Sequence, residues 1–96
     1  MAEKNEQNMK DAVEQFMHRY RLQSKVDETH LIQHWPEIVG EFVARYTDEI
    51  KVREDKIIVR VNSSVIKHQI LMMQETIISN INQYMGYQYI TALVVY

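Results

Sequence analysis

The spacing of apolar positions changes twice along this chain, and each change marks a new kind of element. Met9, Val13, Phe16, Met17 and Tyr20 recur at helical spacing. Leu22 falls on the opposite side, so the pattern predicts a first helix ending near Arg21, with residues 24–27 as a connection. Residues 1–8 offer nothing to bury and are expected to fray. A second helical piece, capped by Asp27 or Thr29, carries Leu31, Ile32 and Trp35. Pro36 removes a donor and disfavours helical geometry at Trp35, which predicts a break there. Proline suits a first helical turn, so a short third helix over Ile38, Val39, Phe42 and Val43 is expected to start at Pro36. Gly40 inside it costs about 1 kcal/mol against Ala, which suggests a close backbone approach, with Trp35 as a neighbour.

From Glu49 the period is two. Ile50 and Val52 alternate with Glu49, Lys51 and Arg53, and Ile57, Val59 and Val61 alternate with Lys56, Ile58, Arg60 and Asn62. A turn at Glu54-Asp55 sets Val52 opposite Ile57 and Ile50 opposite Val59 on a core face, with Glu49 opposite Arg60 on the other. Glu-Asp is a poor two-residue turn, so a slightly longer loop is the alternative. Ser63 or Ser64 caps the next helix. Its main stripe is Ile66, Ile70, Met73, Ile77, Ile81 and Tyr84, and Gly86 is placed to end it. A second stripe, Leu71, Ile78 and Met85, lies about 100° away on the same helix. Residues 89–96 read as a strand apolar on both faces, parallel to its predecessor through a right-handed crossover. The predicted fold is α+β: N-terminal helices packed on a three-stranded sheet with one long crossover helix, in the order α-α-β-β-α-β.

Composition narrows the function classes. Ninety-six residues make one domain, and a net charge of −2 argues weakly against a dedicated nucleic-acid binder. The absence of cysteine excludes disulfides and thiolate zinc sites. The polar start has no apolar signal core, and no run approaches a membrane span, so a cytoplasmic protein is expected. No paired-carboxylate motif, phosphate loop or nucleophile elbow is present, so neither enzymatic activity nor a small-molecule substrate or cofactor is expected.

Four groups of residues are candidates for binding. Lys51, Arg53, Lys56 and Arg60 fall on the outer face of the predicted hairpin, where they can meet phosphates or simply face solvent. Tyr89 or Tyr96 would supply an aromatic platform beside them for single-stranded nucleic acid. Arg19, Arg21 and Lys25, with Tyr20 among them, form a second basic cluster at a predicted helix end. Leu71, Ile78 and Met85 are either a partner or self-association surface or a stripe buried beneath the N-terminal helices. His30 and His34, four apart with Glu37 beyond, have metal-ligand spacing, but Pro36 interrupts their helix and nothing completes a set. Trp35 is either an exposed recognition point or core, and core is the expectation.

The set Trp35-x-x-Ile38-Val39-Gly40, then Ala44 and Thr47, the strand from Lys56 to Ser64, and Ile81-Asn82-x-x-Met85-Gly86 before a closing apolar strand resembles a bacterial family once described as a domain of unknown function, the one that includes the DciA proteins. The resemblance runs from about Leu22 to Tyr96, and Trp35, Ile38, Val39, Gly40, Thr47, Asn82 and Gly86 are its motif positions. It implies a domain similar to the second type of K-homology fold, binding to the replicative helicase and, in some members, weak binding to single-stranded DNA. The sequence has no Gly-x-x-Gly clamp, so the fold does not by itself imply RNA binding. Longer relatives carry a basic tail or zinc-binding extension, whereas the sequence here ends at Tyr96, so helicase contact is expected ahead of independent DNA binding. The expectation is a non-catalytic replication adaptor. The alternative is an interaction or self-association module without nucleic-acid activity.

Overall fold

The structure is a computed structural model that describes residues 2–96, with side chains from Asn8 onward. Of residues 1–8, expected to fray, Met1 and the side chains before Asn8 lie outside what is described. The first helix, α1 (Ala2–Gln33), is longer than its pattern predicted. No connection interrupts it at residues 24–27, because the polar residues there bond within the helix. Gln23 Nε2 donates to Asp27 Oδ1 at 2.9 Å, and Thr29 Oγ1 donates to the Lys25 carbonyl at 3.0 Å. Leu22 is tolerated off the apolar face because it is exposed.

A helix of 32 residues spans about 48 Å, whereas the two shorter dimensions of the molecule are 22 and 20 Å. Only the C-terminal end of α1 can therefore lie on the body. Leu31 is fully buried there, whereas Met9, Val13, Phe16, Met17 and Tyr20 are exposed. The expected packing of the N-terminal helices on the sheet is made by this end of α1, and the rest of the helix extends beyond the body. No helix among the described residues is long and apolar enough to cross a membrane.

The break at Pro36 is present: α1 gives way at His34 to α2 (Trp35–Val39), with proline in its first turn. Gly40 then separates α2 from α3 (Glu41–Arg45) instead of sitting inside one helix. Its φ of 94° and ψ of 154° lie in a region that only glycine occupies at low cost. A Cβ there would meet nothing within 4 Å, so the backbone angle, not a close approach, calls for glycine.

The hairpin forms in the predicted register. β1 (Thr47–Arg53) and β2 (Lys56–Val61) pair antiparallel, with Val52 opposite Ile57, Ile50 opposite Val59 and Glu49 opposite Arg60. The turn is the two-residue one. Glu54 takes φ 58°, and Asp55 is held by its neighbours: its carbonyl accepts from the Thr91 and Ala92 N–H groups, and its carboxylate from the Thr91 hydroxyl.

Ser63 caps the crossover helix as expected, its Oγ accepting from Ile66 N–H at 3.3 Å. The predicted single helix is instead two, α4 (Ser64–Met72) and α5 (Gln74–Met85), divided at Met73. The break lets Ile66 and Ile70 on one segment and Ile77 and Ile81 on the next all reach the twisted sheet, and all four are buried. It also turns Gln74 so that its amide donates to the Leu93 carbonyl at 3.2 Å. Gly86 ends α5 in the left-handed conformation.

β3 (Ala92–Val95) runs parallel to β2, giving the order β1-β2-β3. It is shorter than predicted because Asn82 captures the chain ahead of it. The Asn82 carbonyl oxygen accepts from Tyr89 and Ile90 N–H, and its amide donates to the Ile90 carbonyl. Trp35 is core, with its indole N–H donating to Thr47 Oγ1 at 3.1 Å and that hydroxyl donating to the Val43 carbonyl at 2.9 Å. Helices cover the sheet face bearing Val52, Ile57, Val59, Leu93 and Val95, all buried. The other face is open.

Candidate nucleic-acid interface

Strand pairing arranges the open face in three rows. Lys51, Ile58 and Val94 form the middle row, with Arg53, Lys56 and Ala92 beside it on the turn side. Tyr96 N–H donates to the Val59 carbonyl and Val61 N–H donates to the Tyr96 carbonyl, so Tyr96 lies alongside Arg60. The third row is therefore Glu49, Arg60 and Tyr96. Glu49, Lys51, Arg53, Ile58, Arg60 and Tyr96 line a shallow open depression. The four basic residues singled out from the sequence thus share one surface, around an apolar centre of Ile58 and Val94 and an exposed aromatic ring.

Glu49 is the single carboxylate in these rows. Its Oε2 lies 2.7 Å from Arg60 Nη2 and its Oε1 lies 3.2 Å from Lys51 Nζ. Lys51 first, then Arg60, holds the Glu49 carboxyl below the usual range, by hydrogen bonds and charge. One carboxylate thus bridges two cations. Arg53 donates to the Val52 carbonyl at 3.0 Å and lies 3.8 Å from Glu28 Oε2. Glu28 also accepts the Val52 N–H at 2.9 Å, closing that point of the sheet edge with a side chain from α1. Lys56 has no carboxylate within ion-pair distance among the described residues.

The second basic cluster divides. Arg21 and Lys25 line a groove between α1 and the β1 edge with Tyr20, Ser24, Glu28, Val52 and Arg53, so they extend the basic face across Arg53. Arg19 lies on exposed α1 outside that groove. Of the two tyrosines considered as a platform, Tyr96 sits on the basic face and Tyr89 does not. Tyr89 lines a separate groove with Tyr20, Asp27, Glu54, Asp55 and Tyr87, three of them carboxylates. There its hydroxyl is buried without a hydrogen-bond partner, and burial pushes its pKa up to about 12. Tyr87, also raised chiefly by burial, donates its hydroxyl to Asp27.

The stripe of Leu71, Ile78 and Met85 is split by the break at Met73. Leu71 is exposed, next to exposed Met72 and Met73, whereas Ile78 and Met85 are half-buried against the core. His30 and His34 stack beside Tyr84, with ring centroids 5.5 and 5.4 Å from it, and His34 Nδ1 lies 3.4 Å from Glu37. No group of three or more potential metal ligands occurs among the described residues.

Sequence reasoning missed Ile58 and Val94 as part of the face and Glu28 as the link between α1 and the sheet. Ile58 was legible as an outward position of β2, but its row partner required the strand order. Glu28 carries no local signal at all.

A comparison with curated proteins finds no match. The family model described as "Dna[CI] antecedent, DciA" matches residues 8–95. The fold agrees with a K-homology-like domain of that family, helices followed by a three-stranded mixed sheet. The chain belongs to the DciA family, whose members act as loaders or adaptors of the replicative helicase and are not known as catalysts.

Proposed function

We propose that this domain is a non-catalytic adaptor that binds the replicative helicase and holds a single strand of DNA weakly on its open sheet face. The observation that carries the DNA half of this reading is the gathering of Lys51, Arg53, Lys56 and Arg60 around Ile58, Val94 and Tyr96. Cations track a phosphate backbone, and an aromatic ring among them stacks on a base without demanding sequence. Arg21 and Lys25 lengthen the path past Arg53. Glu49 explains why the hold is weak: it already occupies Lys51 and Arg60.

The helicase half rests on family membership. Leu71, Met72 and Met73, exposed together where α4 meets α5, are the proposed contact, because adjacent apolar side chains left in water favour a protein partner.

The test is fluorescence anisotropy of a labelled single strand over a salt series. Lys56→Glu with Arg60→Glu should weaken binding by about tenfold or more and flatten its salt dependence. Equal binding by wild type and variant would remove the sheet face from the reading. The second reading, an interaction module without nucleic-acid activity, is favoured by the net charge of −2. It predicts no salt-sensitive binding by either protein.

A further inference from the structure

Helix α1 carries its apolar residues well past the domain body. Tyr20 and Leu31 are eleven residues apart, three helical turns, and so share one face. Leu31 on that face is fully buried by the body, but Met9, Val13, Phe16, Met17 and Tyr20 are 41–70% exposed. A helical stub of this length is marginal in water without tertiary support. Monomers rarely leave a contiguous apolar stripe of this kind uncovered.

We infer that this stripe is covered by the same stripe of a second copy of the chain, the two α1 helices running antiparallel. Met9, Val13, Phe16 and Tyr20 are spaced four, three and four, the knobs-into-holes spacing of a two-helix seam. The spacing reads the same in both directions, so Met9 faces Tyr20 of the other copy and Val13 faces Phe16. Direction follows from the position of the body, which sits on the stripe's own face beyond Tyr20. Two parallel helices would bring both bodies to the same place, whereas an antiparallel pair sets them at opposite ends.

The area is sufficient. Five side chains at 41–70% exposure leave on the order of 500 Å² per copy, so the pair removes about 1,000 Å², near the lower bound for a specific interface. The flanks do not oppose it, since Ala12, Met17 and Ser24 border the seam alongside Lys10 and Arg19, with no acidic row to repel its mate. Tyr20 also forms the near wall of the groove that holds Tyr87 and Tyr89, which gives the incoming Met9 an aromatic seat. This inference does not depend on DNA or helicase binding.

Sedimentation equilibrium of the full chain from about 5 to about 500 µM tests it. The mass should rise from 11.5 kDa toward twice that value. Phe16→Glu and Val13→Glu should hold it at the monomer with the fluorescence of buried Trp35 unchanged. The chain has no cysteine, so introduced ones report cleanly. Oxidation should join Met9→Cys chains to Tyr20→Cys chains, and Met9→Cys chains should not join one another. A monomeric mass throughout, or a dimer indifferent to Phe16→Glu, overturns the inference. So does Met9→Cys linking to itself in preference to Tyr20→Cys. A monomer in which Phe16→Glu abolishes helicase capture also overturns it, and assigns the stripe to the helicase.

Discussion

The two ends of α1 present one helix face to opposite surroundings. At the C-terminal end Leu31 is sealed in the core, and Glu28 beside it closes the β1 edge. At the N-terminal end Phe16, on the same side of the helix, stands in water. Periodicity identifies which face of a helix is apolar. Whether anything lies against that face depends on the size of the body, and one 20–22 Å across cannot line 32 residues of helix.

The largest expected effect sharpens that contrast directly. Leu31→Ala should cost about 2–5 kcal/mol in chemical denaturation, through lost burial and the cavity left behind. Phe16→Ala, a larger truncation, should cost under about 0.5 kcal/mol at concentrations where the chain is monomeric. Comparable losses would mean that the outer half of α1 is packed after all.

Next comes Asn82→Ala, which orphans two N–H groups and one carbonyl ahead of β3 and should cost about 2–3 kcal/mol. An unfolding free energy within error of wild type would show that solvent satisfies these groups. Glu49→Gln should then raise affinity for a single strand about threefold and steepen its salt dependence, because Lys51 and Arg60 become free for phosphate. Unchanged affinity alongside weakened Lys56→Glu binding would confine the strand to the turn side of the sheet.

The smallest effect is a pH response. The Thr91 hydroxyl, first among its causes, holds the Asp55 carboxyl below its ordinary value. A carboxyl lowered by folding adds stability above its unfolded pKa and loses it as pH falls through the folded one. The tie between the β1–β2 turn and β3 should therefore weaken only below the ordinary aspartate range, and Thr91→Val should shift that acid limb upward. An acid limb unaltered by Thr91→Val would place the tie in the backbone bonds from Thr91 and Ala92.

Much of the fold was legible because its signals are local. The hairpin register follows from alternation of Ile50, Val52, Ile57 and Val59 around a turn, and Pro36 and Gly86 mark helix ends by their backbone chemistry. The division at Met73 was not legible, since neither proline nor glycine marks it and the stripe runs through in phase. Residues 24–27 misled because Ser and Asp suit a connection as well as they suit bonds within a helix. At the candidate site the outward positions of β1 and β2 were readable, but bringing Tyr96 to Arg60 and Arg21 to Arg53 took tertiary pairing. The family motif proves structural where its contacts are seen: Trp35 and Thr47 bond one another, Asn82 fixes the approach to β3, and the two glycines take positive φ.

The proposed adaptor engages a helicase and a single strand through different surfaces. The most direct measurement is capture of the replicative helicase by the purified domain, with labelled single-stranded DNA added, comparing wild type with Lys56→Glu/Arg60→Glu. Both proteins should retain the helicase, and the variant should lose the DNA contributed by the domain. Absence of helicase capture at micromolar protein, or DNA retained equally by the variant when the helicase contribution is subtracted, would contradict that reading.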